Sequence, residues 1–241
     1  MRFAPITDPA AILDARDAGL GLSATTRAVL LAGLCGVADD ADLLDLPIGA
    51  RDARLLELRR AWFGERIDGL CECDACGESI EIAFDAGQIT TASAPAGASV
   101  EVTTADRSWR ARVPTSRDLL ALERTSPHDA RSRLLRRLLD DQDEPDAATA
   151  DIIVAALAAR DPQADVLLDL ACPTCDRRVA LPFDIANFLW DELDRWAHGL
   201  LDEIHVLARA YGWREHDILA MPASRRAAYI ERAGSHSGLT S

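Results

Sequence analysis

A chain of 241 residues, 49% hydrophobic and 27% charged, is long enough to bury a substantial core and too apolar to stay disordered as a whole. Its formal net charge of −14 argues against nucleic-acid phosphates and anionic membrane surfaces as main partners, because both recruit Lys and Arg. All 26 basic residues are Arg, a bias of coding composition that points to no activity.

The amino-terminal residues lack the basic flank and apolar core of a secretory signal, and no run approaches the roughly 18 apolar residues that span a bilayer. The expectation is a cytoplasmic protein with no membrane partner. In a reducing compartment six cysteines read as metal ligands before they read as disulfides.

Taken in chain order, residues 1–64 form a helical region. Ile12, Leu13, Val29, Leu30, Leu31, Leu34, Leu43, Leu44 and Leu46 recur with helical spacing, broken by Gly19, Gly21, Gly33 and Gly36. A better helix over 50–63 presents Leu55, Leu56, Leu58, Trp62 and Phe63 and ends at Gly64. Residues 65–87 read as a hairpin of strands 67–71 and 79–84, carrying Cys73 and Cys76 at its tip.

The segment 88–98, rich in Thr, Ala, Ser, Pro and Gly, reads as a mobile linker into an insertion that extends to 164. The insertion is expected to hold a second hairpin (100–102 with 109–113) and three helices: one capped by Thr115 or Ser116, one over 129–139 and one over 147–159. Residues 165–184 then form another hairpin, with Cys172 and Cys175 at its tip. From 185 to 233 a long helix with an apolar stripe is followed by two short helices, and 234–241 read as a disordered tail.

The cysteine pairs are the most specific feature. Cys73-Asp-Ala-Cys76 and Cys172-Pro-Thr-Cys175 are each followed by an alternating run of equal length ending in Phe84-Asp85 and Phe183-Asp184. A two-residue gap lets one tight knuckle deliver two thiolates to one ion, and two knuckles complete the four-thiolate tetrahedron that Zn2+ favours. The alternatives are a ribbon that has lost its metal, and a redox or iron-sulfur site; a redox pair would sit at a helix amino terminus, whereas strands follow both pairs here. Cys71 breaks the repeat and reads as a strand residue, and Cys35 as a small buried apolar group.

Four thiolates close a zinc site, which leaves no open position for catalysis. No phosphate-binding Gly-rich loop, nucleophile elbow or His-Glu-x-x-His helix is present. His198 and His205, two turns apart on one helix, lie about 10 Å apart in rise and make a poor metal pair. Arg225 and Arg226 on the last helix admit a helix-turn-helix reading, which the net charge opposes. Trp190, Trp196 and Trp213 either fill a core or meet a partner.

Several longer stretches carry a resemblance: Leu46-Pro-Ile-Gly-Ala-Arg-Asp-Ala-Arg-Leu-Leu-Glu-Leu-Arg59, Cys73-Asp-Ala-Cys-Gly77, Val113-Pro-Thr-Ser-Arg-Asp118, Cys172-Pro-Thr-Cys175, Phe183-Asp-Ile-Ala-Asn-Phe-Leu-Trp190 and Ala210-Tyr-Gly-Trp-Arg-Glu-His-Asp-Ile-Leu-Ala-Met221. Together they resemble the T-even-phage-like baseplate hub assembly proteins of contractile tails and related injection systems. The resemblance implies a non-enzymatic protein, an assembly chaperone or minor component, whose partners are baseplate or hub proteins. Asp176 departs from the Gly that commonly follows the second knuckle.

The expected fold is therefore α+β and mainly helical, with a bipartite zinc ribbon of two β-hairpins split by a helical insertion and ligated by Cys73, Cys76, Cys172 and Cys175. The rival functions are a metal-dependent enzyme and a nucleic-acid-binding zinc ribbon.

Overall fold

The computed structural model describes residues 6–36, 43–105, 107–140 and 144–237. It is α+β, with three separate two-stranded antiparallel sheets among helices in the described residues. The described residues divide into two compact units, one holding those between 22 and 187 and the other residues 6–21 with 188–237.

The first unit opens with helix α2 (Ala24–Gly33), whose Ser23 Oγ accepts the Thr26 N–H at 3.2 Å and supplies the cap. A 3-10 turn (Leu43–Asp45) leads into α3 (Ile48–Phe63), which buries Leu55, Leu56 and Leu58. Gly64 ends that helix at φ +87°, a backbone angle costly to any residue with a Cβ. The hairpin β1 (Arg66–Glu72) and β2 (Ser79–Asp85) follows, then a 3-10 turn (Ala86–Gln88).

Within the insertion, β3 (Ser99–Thr103) pairs with β4 (Ser108–Arg112), and helices α4 (Ser116–Leu122), α5 (Pro127–Leu138) and α6 (Ala147–Arg160) come after. Val102, Trp109, Ala111 and Val113 from the hairpin pack with Leu135, Leu138, Ile153 and Leu157 in one buried cluster. Thr115 starts α4 by donating its backbone N–H and its hydroxyl to Asp118 Oδ2, at 3.0 and 3.1 Å. The hairpin β5 (Leu167–Ala171) and β6 (Arg178–Pro182) completes the set, and Asp184 caps α7 (Ile185–Tyr211): its Oδ1 accepts the N–H groups of Ala186 and Asn187 at 2.9 and 3.1 Å.

The segment 88–98 is pinned, contrary to its reading as a mobile linker. Asp161, only 2% exposed, accepts the Ala94 N–H on Oδ1 at 2.8 Å and the Gly49 N–H on Oδ2 at 2.9 Å. Gln163, equally buried, accepts the Thr91 N–H on Oε1 at 2.7 Å and donates its own N–H to the Ala92 carbonyl at 3.2 Å. These bonds bring the two ends of the insertion together beside α3, and a buried donor without such a partner would cost about 1–3 kcal/mol. Ala94 and Ala98 are buried as a result.

In the second unit, α1 (Pro9–Gly19) contributes Leu13 to a cluster with Ala197, Leu200, Ile204 and Leu207 of α7 and Ile218 of α8 (Glu215–Leu219). Arg16 fastens the same helices by donating from Nε and Nη2 to Asp194 Oδ1, at 2.9 and 2.7 Å. A linear division at residue 64 does not foresee that α1 belongs with the last helices. Tyr211 stacks on Trp213, 4.6 Å between centroids, and Tyr229 meets the two rings in edge-type contacts at 5.6 and 4.9 Å, so the three aromatics pack against one another within the unit.

Helix α9 (Ala223–Ser237) corrects the expected disordered tail at 234–237, which continues the helix; 238–241 lie outside the described residues. Arg226 is 6% exposed and donates to Glu203 Oε2 and the Met221 carbonyl, at 2.7 and 2.8 Å, so it is not presented for DNA recognition. Among the described residues no helix is long and apolar enough to cross a membrane.

Candidate metal centre

The two cysteine hairpins are copies of one local structure at a constant offset of 99 residues. In the first, the Cys73 N–H donates to the Glu78 carbonyl at 2.8 Å and the Gly77 N–H to the Cys73 carbonyl at 2.9 Å. In the second, the Cys172 N–H donates to the Arg177 carbonyl at 2.9 Å and the Asp176 N–H to the Cys172 carbonyl at 3.0 Å. Each knuckle needs a left-handed residue after its last cysteine. Gly77 supplies it at φ +73° and Asp176 at φ +56°, a conformation that Asp tolerates better than most non-glycine residues. The departure seen in sequence at Asp176 therefore leaves the turn intact.

The copies meet tip to tip. The four Sγ atoms of Cys73, Cys76, Cys172 and Cys175 all lie within 4.8 Å of one another. Cys73 faces Cys175 at 3.8 Å and Cys76 faces Cys172 at 3.6 Å. Each pair joins the first cysteine of one knuckle to the last of the other. Such reciprocity is the mark of two-fold pairing, here between two halves of one chain. At the far end the equivalent Phe84 and Phe183 pack edge to face, 5.5 Å between centroids, a contact worth about 1 kcal/mol beyond its area. Ile80, Val179 and Cys71 make an apolar floor with Cys73 and Cys172.

The spacing suits a tetrahedral ion of thiolate preference. Metal–sulfur arms of about 2.3 Å put the sulfurs of a regular tetrahedron about 3.8 Å apart, and the two cross-hairpin edges already have that length. Backbone amides help. The Ala75 and Cys76 N–H groups are directed at Cys73 and hold its thiol down to about 7. For Cys76 the Glu78 amide acts the same way, but burial and the sulfurs of Cys175, Cys172 and Cys73 outweigh it and push the thiol up to about 12. Cys175 is raised as well, its Arg177 amide overcome by Cys172, burial and Cys73. One thiolate forms readily at Cys73, and the neighbouring sulfurs help keep Cys76 and Cys175 protonated until a cation arrives.

All four residues expected from sequence come together, and all six cysteines are free thiols. Cys71 stays on its strand beneath the tetrad. Cys35 is buried elsewhere, its S–H directed at the Arg54 carbonyl at 3.5 Å and its thiol pushed up to about 12 by burial. His198 and His205 are exposed on α7, with His198 Nδ1 against the Asp194 carbonyl at 2.7 Å. The directing amides escape sequence reasoning because any residue type supplies an N–H; only the Cys-x-x-Cys spacing hints at them. No family model matches the chain, and neither a curated protein nor a solved structure matches it.

Proposed function

We propose that the tetrad binds one Zn2+ as a closed structural site and that the protein acts by binding other proteins, as an assembly chaperone or minor component of a contractile-tail baseplate hub. The observation that carries the metal reading is the convergence of four sulfurs within 4.8 Å of one another, enough thiolates to fill the coordination of zinc and leave no position for substrate. The setting rests on the sequence resemblance, with the acidic charge as support for protein partners over nucleic acid. Zinc would fasten β1–β2 to β5–β6, and β6 runs through Phe183 into Asp184, the cap of α7. The metal thereby fixes where the long helix starts.

Elemental analysis of protein purified without added metal is expected to show about one zinc per chain. Cys172→Ser is expected to lose it, to lower the thermal midpoint and, in the same preparation, to abolish co-purification with co-expressed hub proteins. Iron in place of zinc would overturn the metal assignment. A stably folded Cys172→Ser protein that has lost an enzymatic activity would overturn the structural role.

A further inference from the structure

We infer that the tetrad is also an oxidation-sensitive latch, in which a hydroperoxide releases the metal and leaves two disulfides across the hairpins, Cys76–Cys172 and Cys73–Cys175. This rests on the metal reading above and adds a regulation to it. The reciprocal pairing assigns the partners: each contact of 3.6 or 3.8 Å joins an exposed cysteine, Cys76 or Cys175, to a buried cysteine of the other hairpin, Cys172 or Cys73. The exposed member is the one a small oxidant reaches, and the buried member is its neighbour for resolution.

The chemistry balances. The Cys76 sulfur, which would be a thiolate when it ligates the metal, attacks one peroxide oxygen, the O–O bond breaks, and a sulfenic acid and hydroxide result. The Cys172 thiolate then attacks that sulfur, the S–S bond forms and a second hydroxide leaves. Each disulfide consumes one peroxide and two electrons from sulfur, and Cys175 with Cys73 repeats the sequence. Two disulfides remove all four donors, so the ion departs while the hairpins stay joined. Cys35, buried with its S–H against the Arg54 carbonyl, and Cys71, on the strand floor, take no part.

The test treats the metal-loaded full chain with hydrogen peroxide and follows metal release with a chromogenic chelator, thiol count, and non-reducing peptide mapping. Two equivalents of peroxide are expected to release the metal and reduce the six free thiols to two. The map is expected to show one covalently linked pair of peptides containing both knuckles, with Cys76 joined to Cys172 and Cys73 to Cys175. Cys71→Ser should behave identically. Disulfides closed within each knuckle, participation of Cys71, or oxidation to sulfinic acid without linkage would each overturn the inference. The zinc reading fails separately, if the untreated protein contains no metal; the same peroxide map on that metal-free chain still decides the pairing.

Discussion

Asp161 shows how much one buried carboxylate can hold. Its two oxygens take amides from α3 and from the start of the insertion, 112 and 67 residues away in sequence. Asp161→Ala leaves both donors without a partner, at about 1–3 kcal/mol each, so urea unfolding should show a loss of about 2–6 kcal/mol. Gly49→Ala attacks the same point sterically: a Cβ there would lie 2.2 Å from Asp161 Oδ1 and 3.0 Å from the Ala164 amide nitrogen. It should destabilise comparably, and a neutral result for both variants would mean that the clasp holds nothing. Asp118 makes a different residue-level claim. Burial favours its neutral form, but Arg112, which grips both oxygens at 2.6 and 2.7 Å, and the Thr115 donors prevail and bring the carboxyl to about 2. A folded-state value below the usual 3.8 means that this stabilisation is complete above about pH 4 and disappears as pH falls through about 2. Asp118→Asn should therefore lower stability at neutral pH and flatten the acid limb of the stability curve; an unchanged acid limb would count against it.

At the scale of elements, the two cysteine hairpins were the most legible part of the molecule, because the Cys-x-x-Cys tip, the length of the alternating run after it and the terminal Phe-Asp all repeat at one offset. The start of α4 was readable for a similar reason: Thr115 and Asp118 stand at capping-box spacing. What sequence hid was long-range. The segment 88–98 has the composition of a linker, yet its backbone N–H groups are held by Asp161 and Gln163, far along the chain, and composition carries no record of a backbone donor. The grouping of α1 with α7 and α8 was equally invisible, since a hydrophobic stripe names a face and not the neighbour that covers it. Most of the large apolar side chains of α7 are in fact buried or half-buried, and Leu201, Val206 and Tyr211 are exposed. For the hairpins the thiol pattern itself predicts a pH response. Cys76 and Cys175 are raised above their ordinary values and keep their protons near neutrality, so metal binding must displace at least those two. Competition with a chromophoric chelator should show apparent affinity rising at least about 100-fold per pH unit between pH 7 and 8. A rise of tenfold or less would mean that the thiolates are already formed without metal.

For the whole molecule, the tetrad matters because of the length of chain it closes. Its cross-hairpin contacts join residues 96 and 102 positions apart, and cross-linking a loop of about 100 residues removes about 5 kcal/mol of denatured-state entropy in the chain-entropy account. That contribution depends on the link existing and not on whether metal or sulfur makes it. Three forms of the same chain should therefore fall into two classes. The metal-bound and the peroxide-oxidised proteins should unfold at similar denaturant concentrations, while the reduced, chelator-stripped protein should be weaker by about 5 kcal/mol, equivalent to about 10–20 °C in thermal midpoint for a chain of this size. Because the link compacts the denatured chain, the stripped form should also show a steeper denaturant dependence than the linked forms, provided the native fold is kept. If the oxidised chain is as weak as the stripped one, the disulfides close within the knuckles and bind no long loop. If all three are equal, the clasp of Asp161 and Gln163 and the packing around it hold the hairpins together without any help from the cysteines.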